Sequence, residues 1–255
     1  MTIQKNVFPI LQILLIIITK TTTAQTTETQ LNYLAVQCTY SEPISTNTTY
    51  HANLLTAFSN LLSHSTINHF FFTSSGLGPD LVNAFYLCRP DFSLATCHAC
   101  VNATIETFKN FCIGRKETIV WYQECMIRYT NNSISPSGNQ TEPWSFVYST
   151  LNVSESNFPM LVNTTMRELI SEAVSVEHTP RFFAYGKANF TAFVGLYGMV
   201  FCRPDFAPED CEICLTLALG MMSSCCGNGL SFRTAILLPN CQLRYDTAPF
   251  IFPSP

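Results

Sequence analysis

The sequence predicts an α+β fold in two tandem copies, each with two helices packed on one antiparallel β-sheet and stapled by disulfides. Two observations lead there. A block of cysteines recurs with its flanking residues at a constant offset, and the stretches around the cysteines alternate between helical and strand-like patterns. With 255 residues, 47% hydrophobic and 12% charged, the chain has enough apolar side chains for cores and too few charges for a disordered polymer.

The repeat decides the domain count. Cys88-Arg-Pro-Asp-Phe92, followed by Cys97 and Cys100, returns as Cys202-Arg-Pro-Asp-Phe206, followed by Cys211 and Cys214, with an offset of 114 residues. Downstream, Glu124-Cys125-Met-Ile-Arg128-Tyr129 is echoed by Asn240-Cys241-Gln-Leu-Arg244-Tyr245, so a whole unit has been duplicated and not a motif alone. The expected organisation is a signal segment over 1–24, a first domain over 25–135, a linker over 136–143 rich in turn-forming residues, and a second domain over 144–255.

Residues 1–24 read as an export signal. Lys5 lies in a short basic start, an apolar run covers Val7–Ile18, and Thr22-Thr23-Ala24 offers small residues for cleavage. The apolar run is too short to cross a hydrocarbon layer of ~30 Å at 1.5 Å per residue. Removing the segment takes away Lys5 and Lys20 and no acid, so the formal charge moves from −4 to −6. An acidic mature chain without a run of basic residues gives no reason to expect nucleic acid as a partner or membrane insertion. Seven Asn-x-Ser/Thr sequons, at Asn47, Asn102, Asn131, Asn139, Asn152, Asn163 and Asn189, are candidate glycan acceptors in an exported chain.

All twelve cysteines lie after the signal, six in each repeat. An even number in an oxidising compartment points to disulfides, whereas the same Cys-x-x-Cys in a reducing one would suggest zinc or redox chemistry. Asp91-Phe-Ser93 and Asp205-Phe-Ala-Pro208 read as helix entrances, with Ser or Asp to cap and Pro suited to a first turn. Cys97 and Cys100 then share one helix face and point at neighbouring elements. The strand ending at Cys88 can return to Cys97, and Cys100 can reach the hairpin strand holding Cys125.

A further helix in each repeat follows from apolar stripes: Leu54, Leu55, Phe58, Leu61 and Leu62 in the first, and Leu161, Val162, Leu169, Ile170 and Val174 in the second. Aromatic and β-branched residues over 118–129 and 182–190 suit strands, where Trp121 and Tyr122 are expected to pack against the helices. The sharing of these patterns between helix and strand makes two helices on one face of a sheet the economical layering.

Catalytic chemistry finds no constellation. His51, His64, His69, His98 and His178 occur singly, and no G-x-S-x-G, H-E-x-x-H or Walker sequence is present. No catalytic residue, metal or cofactor is therefore expected. The repeated Arg-Pro-Asp triplets, 89–91 and 203–205, are expected to shape the strand-to-helix turn, and Arg128 and Arg244 to stabilise a sheet face.

The duplicated Cys-x8-Cys-x2-Cys, with Gly76-Leu-Gly-Pro-Asp80 before it and Trp121-Tyr-Gln-Glu-Cys-Met-Ile-Arg-Tyr129 after it, resembles the plant cysteine-rich repeat secretory proteins. Their tandem salt-stress-response/antifungal domains also form the ectodomains of cysteine-rich receptor-like kinases. The resemblance implies bridges Cys38–Cys112, Cys88–Cys97 and Cys100–Cys125, then Cys202–Cys211 and Cys214–Cys241. The second repeat has no counterpart of Cys38, and its adjacent Cys225 and Cys226 either bridge each other or stay partly reduced.

Ginkbilobin-2, the single-domain relative, is an antifungal seed lectin that holds mannose with an Asn, an Arg and a Glu. The corresponding places here hold Thr39, Ile119 and Thr130 in the first repeat and Ala235 and Asp246 in the second. Apolar Ile119 and Ala235 supply no charged donor. The resemblance thus implies a non-enzymatic recognition protein of the apoplast, acting in defence or stress response on extracellular carbohydrate or protein, including related receptor ectodomains. The alternative is the ectodomain of a truncated receptor-like kinase.

Overall fold

Among the described residues, ten strands and four α-helices follow one another as the same element series run twice. The structure, a computed structural model, describes residues 30–38, 45, 47–112, 114–135, 143–175, 180–191, 195–226 and 231–251. The expected signal segment and residues 136–142 of the expected linker lie outside the described residues, as do Thr39, Asn139 and His178. Both repeats belong to one unit, Leu31–Pro255.

The first repeat comprises β1 (Tyr33–Cys38), α1 (Thr49–His64), β2 (Phe70–Ser75), β3 (Val82–Cys88), α2 (Leu94–Phe111), β4 (Glu117–Tyr122) and β5 (Cys125–Thr130). The second comprises β6 (Ser145–Tyr148), α3 (Phe158–Ala173), β7 (Phe183–Asn189), β8 (Gly195–Cys202), α4 (Pro208–Cys225), β9 (Arg233–Leu237) and β10 (Cys241–Asp246). Each repeat forms a five-stranded antiparallel sheet, ordered β1-β4-β5-β3-β2 and β6-β9-β10-β8-β7. The α+β layering read from the sequence is the fold observed.

Local chemistry starts and stops these elements. Thr48 caps α1 by accepting from the His51 amide, and Ser93 caps α2 by accepting from the Thr96 amide. In α4 the cap position is Ala207, which makes no side-chain bond, and Pro208 opens the helix instead. Gly76 has φ +83°, and a Cβ there would collide with the Asn53 amide and stand 2.7 Å from the Asp80 carbonyl. The first glycine of Gly76-Leu-Gly-Pro-Asp80 is thus required by backbone sign and by space.

The helices cover one face of each sheet. Tyr50, Leu54, Phe58 and Leu61 of α1 and Val101, Ile105 and Phe108 of α2 pack on Val82, Ala84, Tyr86, Val120, Ile127 and Tyr129. In the second repeat Phe158, Val162, Met166, Leu169 and Ile170 of α3 join α4 on Leu196, Val200, Ile236, Leu243 and Tyr245. Leu55 departs from the expected stripe and is exposed.

Alternation along the strands sends every second side chain to the opposite face, and there the two repeats meet. Phe85, Leu87, Ile119, Trp121 and Met126 of the first sheet form one core with Phe183, Met199, Phe201, Ala235 and Leu237 of the second and with Phe250, which follows β10. The sheets are packed face to face with helices outside. Trp121, expected against the helices, is fully buried in this inter-sheet core instead, because it shares the parity of Ile119. Tyr122, one residue on, does face the helices, with its hydroxyl 2.8 Å from the Thr107 hydroxyl of α2.

Candidate ligand-binding site

The sheet-to-sheet contact changes what the repeats can present to a ligand. Ile119 and Thr130 have no exposed surface, and Ala235 is buried beside them in or near the inter-sheet core. Among the described residues, Ile119 and Thr130, which correspond to sugar contacts of a lectin, are therefore covered, besides lacking a charged donor. Asp246, the one acid retained there, accepts from Arg244 Nη2 at 3.2 Å.

The repeated Arg-Pro-Asp triplets do more than turn the chain. Arg89 donates from Nε and Nη2 to the two Asp91 oxygens at 3.0 and 2.6 Å, and Arg203 does the same to Asp205 at 3.0 and 2.7 Å. Such bidentate pairs fix the guanidinium plane. Arg203 lies 4.5 Å from the Phe85 ring of the other repeat, and Arg89 lies 5.9 Å from Phe250, so each paired arginine faces an aromatic ring across the boundary. Neither Asp caps its helix.

A cleft of about 260 Å³ remains open where β1 and the β4–β5 turn of the first repeat approach β6, β9 and β10 of the second. Asn32, Tyr33, Gln123, Val147, Arg233 and Arg244 line it. Glu124 holds the near wall, taking hydrogen bonds from the Asn32 backbone amide at 3.1 Å and side-chain amide at 2.8 Å. Arg244 stacks on Phe250 at 4.0 Å, and a narrow recess behind it reaches Arg89. Burial holds the Arg244 guanidinium below its usual range; Asp246 opposes this, while Arg89 and Arg233 add to it by repulsion. Sequence reading found no basic patch because Arg89 belongs to the other repeat and Arg233 and Arg244 become neighbours only through the pairing of β9 with β10.

The internal repeat supplies a comparison for this site. In the first sheet Glu117 stands opposite Thr130, and Arg128 Nη2 donates to Glu117 Oε1 at 2.7 Å. In the second sheet the same register places Arg233 opposite Asp246, with Arg244 where the first copy has Arg128. An acid has become a base. A closed cross-strand ion pair in one copy is an open pair of arginines in the other, and among the described residues no carboxylate lies within ion-pairing distance of exposed Arg233.

A second hollow of about 220 Å³, between α1 and α2, is lined by His51, Leu54, Phe58, Phe108, Lys109 and Tyr129. Burial pushes the Tyr129 hydroxyl up to about 12, with the Thr118 hydrogen bond opposing, and Tyr86 likewise to about 12. The remaining histidines serve local packing: His64 stacks on Phe71 at 3.7 Å, His69 bonds the Phe92 carbonyl, and His98 bonds Ser65. Among the described residues no three His, Cys, Asp or Glu side chains are grouped to hold a metal ion. No helix among them is long and apolar enough to cross a membrane.

Cysteines are joined as Cys38–Cys112, Cys88–Cys97, Cys100–Cys125, Cys202–Cys211 and Cys214–Cys241, and the adjacent Cys225 and Cys226 are joined to each other. Of the sequon asparagines, Asn47, Asn102, Asn152, Asn163 and Asn189 are exposed and Asn131 is half-buried.

Fold and cleft together define a class: tandem disulfide-stapled α+β modules docked sheet to sheet. The salt stress response/antifungal family profile matches residues 21–132 and 148–248, and the chain belongs to that family. It is 30% identical over 235 residues to cysteine-rich repeat secretory protein 9 of Arabidopsis thaliana, covering 90% of this chain and 71% of that one. It is 31% identical over 250 residues to cysteine-rich receptor-like protein kinase 25 of the same plant, covering 96% of this chain and 36% of the kinase. The chain thus spans about a third of the receptor-like kinases that it matches. The crystal structure of the tandem DUF26 ectodomain of the Arabidopsis cysteine-rich receptor-like protein PDLP8 superposes with a TM-score of 0.71, at 20% identity, over 86% of this chain and 99% of that one.

Proposed function

We propose that this chain is an extracellular, non-enzymatic recognition protein that acts in defence or stress response by binding carbohydrate or protein through the surface where its two repeats meet. The observation that carries the reading is the polar cleft between the copies. It is a concave site with fixed walls and directed donors, and it exists only because the duplicated modules are docked. The secretory relatives support an extracellular setting, in which the paired cysteines and exposed sequons are chemically at home. The test is a glycan array probed with the glycosylated protein, in parallel with a fungal-growth assay and recovery of bound proteins from cell-wall extracts. Saturable binding to a glycan or an extracellular protein is the expected result, and blanks in all three contradict the reading.

A second reading is favoured by the match to receptor-like kinases: the chain engages related receptor ectodomains as a soluble partner, or is itself the ectodomain of such a receptor. Co-purification that recovers a receptor of this family is its expected signature. Recovery of none, together with a transcript that stops at Pro255, counts against it.

A further inference from the structure

The two copies are each other's control, and one difference between them bears on what the cleft takes. At equivalent register positions the first sheet has Glu117 and Arg128, joined at 2.7 Å, and the second has Arg233 and Arg244, which repel. Two arginines at neighbouring positions of one sheet face are unfavourable without an anion. Arg244 is held in place by the Phe250 ring at 4.0 Å and by a single hydrogen bond, to Asp246 at 3.2 Å. Guanidinium carries five N–H donors in a planar fork, so among the described residues most of the donors of Arg244 and all those of Arg233 are left for the cleft.

From this charge reversal we infer that the cleft between the repeats binds a monosaccharide-sized carboxylate, a uronic acid, with Arg233 and Arg244 on its carboxylate and Gln123 and Asn32 beside its hydroxyls. The inference rests on the recognition reading above and names the ligand class.

Three observations select this class. With Arg89 neutralised by its bidentate Asp91, the two cleft arginines stand against two carboxylates, Asp246 and Glu124, and a formal balance near zero suits a monoanion better than a doubly charged phosphate monoester. The cleft, at about 260 Å³, has room for one sugar ring and not for a long apolar ligand. Its walls are mixed: Leu34 and Val147 offer apolar surface, and Gln123 and Asn32 offer polar groups. Planar two-point recognition of a carboxylate is what paired arginines do best.

The test is calorimetric titration of the glycosylated full chain with D-galacturonate and D-glucuronate, against the galacturonate methyl ester, D-galactose and sodium sulfate at matched ionic strength. Saturable one-to-one binding of a uronate is expected, at least tenfold tighter than the ester, the neutral sugar or sulfate. Arg233→Glu, which sets an acid where the first copy has Glu117 but directly opposite Asp246, should weaken uronate binding tenfold or more in a chain whose thermal transition shows it folded. Arg233→Gln, which cannot pair, should weaken it as well. Equal affinity for sulfate or for the ester, or unchanged uronate affinity in both variants, overturns the inference. If a neutral glycan binds the protein while no uronate does, the inference falls and the recognition reading stands.

Discussion

Phe85→Ala probes the contact between the repeats most sharply. Phe85 is fully buried on β3, on the face away from the helices, and its ring lies 4.5 Å from the Arg203 guanidinium of the other copy and 6.0 Å from Phe70. Truncating a buried Phe in a packed core costs ~3–5 kcal/mol. Losing the desolvated cation–π contact adds ~1 kcal/mol. In a cooperative unit of this size each kcal/mol moves the thermal midpoint by ~2–4 °C, so a drop of about 10 °C or more is expected. Phe72→Ala is the matched control: it sits on the same face of neighbouring β2 but is 38% exposed at the sheet edge. Urea unfolding followed by far-UV circular dichroism, with calorimetry for the midpoint, reads both variants. A Phe85→Ala shift no larger than that of Phe72→Ala would refute the argument that the two sheets share one packed core.

Further outcomes follow from individual contacts. Asp91→Ala should cost ~3–5 kcal/mol, because Arg89, with its side chain 2% exposed, is left as a buried unpaired charge. Asp205→Ala should cost less than half of that, since Asp205 is 37% exposed and Arg203 keeps its bond to Asn240 at 3.1 Å; equal losses in urea unfolding would contradict this. Ser93→Ala should destabilise by ~1 kcal/mol by removing the α2 cap, and Ala207→Ser should stabilise by several tenths by adding one to α4. For pH, Tyr86 and Tyr129 hold their protons to about 12 in the folded chain, against an ordinary value near 10. The unfolded chain therefore loses these protons first, and stability is intact below pH ~10 and falls as the pH rises towards 12. Urea midpoints that decline already at pH 8, or rise above pH 10, would be inconsistent with buried, protonated tyrosines.

The fold was legible because its signals are local. Eight residues between Cys88 and Cys97, repeated between Cys202 and Cys211, mark a strand, a turn and a helix start, and the α1 and α3 stripes show which helix faces are covered. The inter-sheet core was less legible, yet its signature is present in Ala84-Phe-Tyr-Leu-Cys88 and Met199-Val-Phe-Cys202. Both are apolar at every position, as strands covered on both faces are. Expecting one covered face put Trp121 against the helices. The cleft was out of reach for a different reason. Arg233 and Arg244 meet through the pairing of β9 with β10, Arg89 joins them only through the docking of the two copies, and the exchange of Glu117 for Arg233 gains meaning once the strand registers are known.

Differential scanning calorimetry of the intact folded protein tests most directly whether the duplicated modules are sealed into one body. A single transition is predicted, with the calorimetric and van't Hoff enthalpies equal at about 150 kcal/mol for the unit Leu31–Pro255 near 60 °C. Two resolved transitions, each with about half that enthalpy, would contradict it.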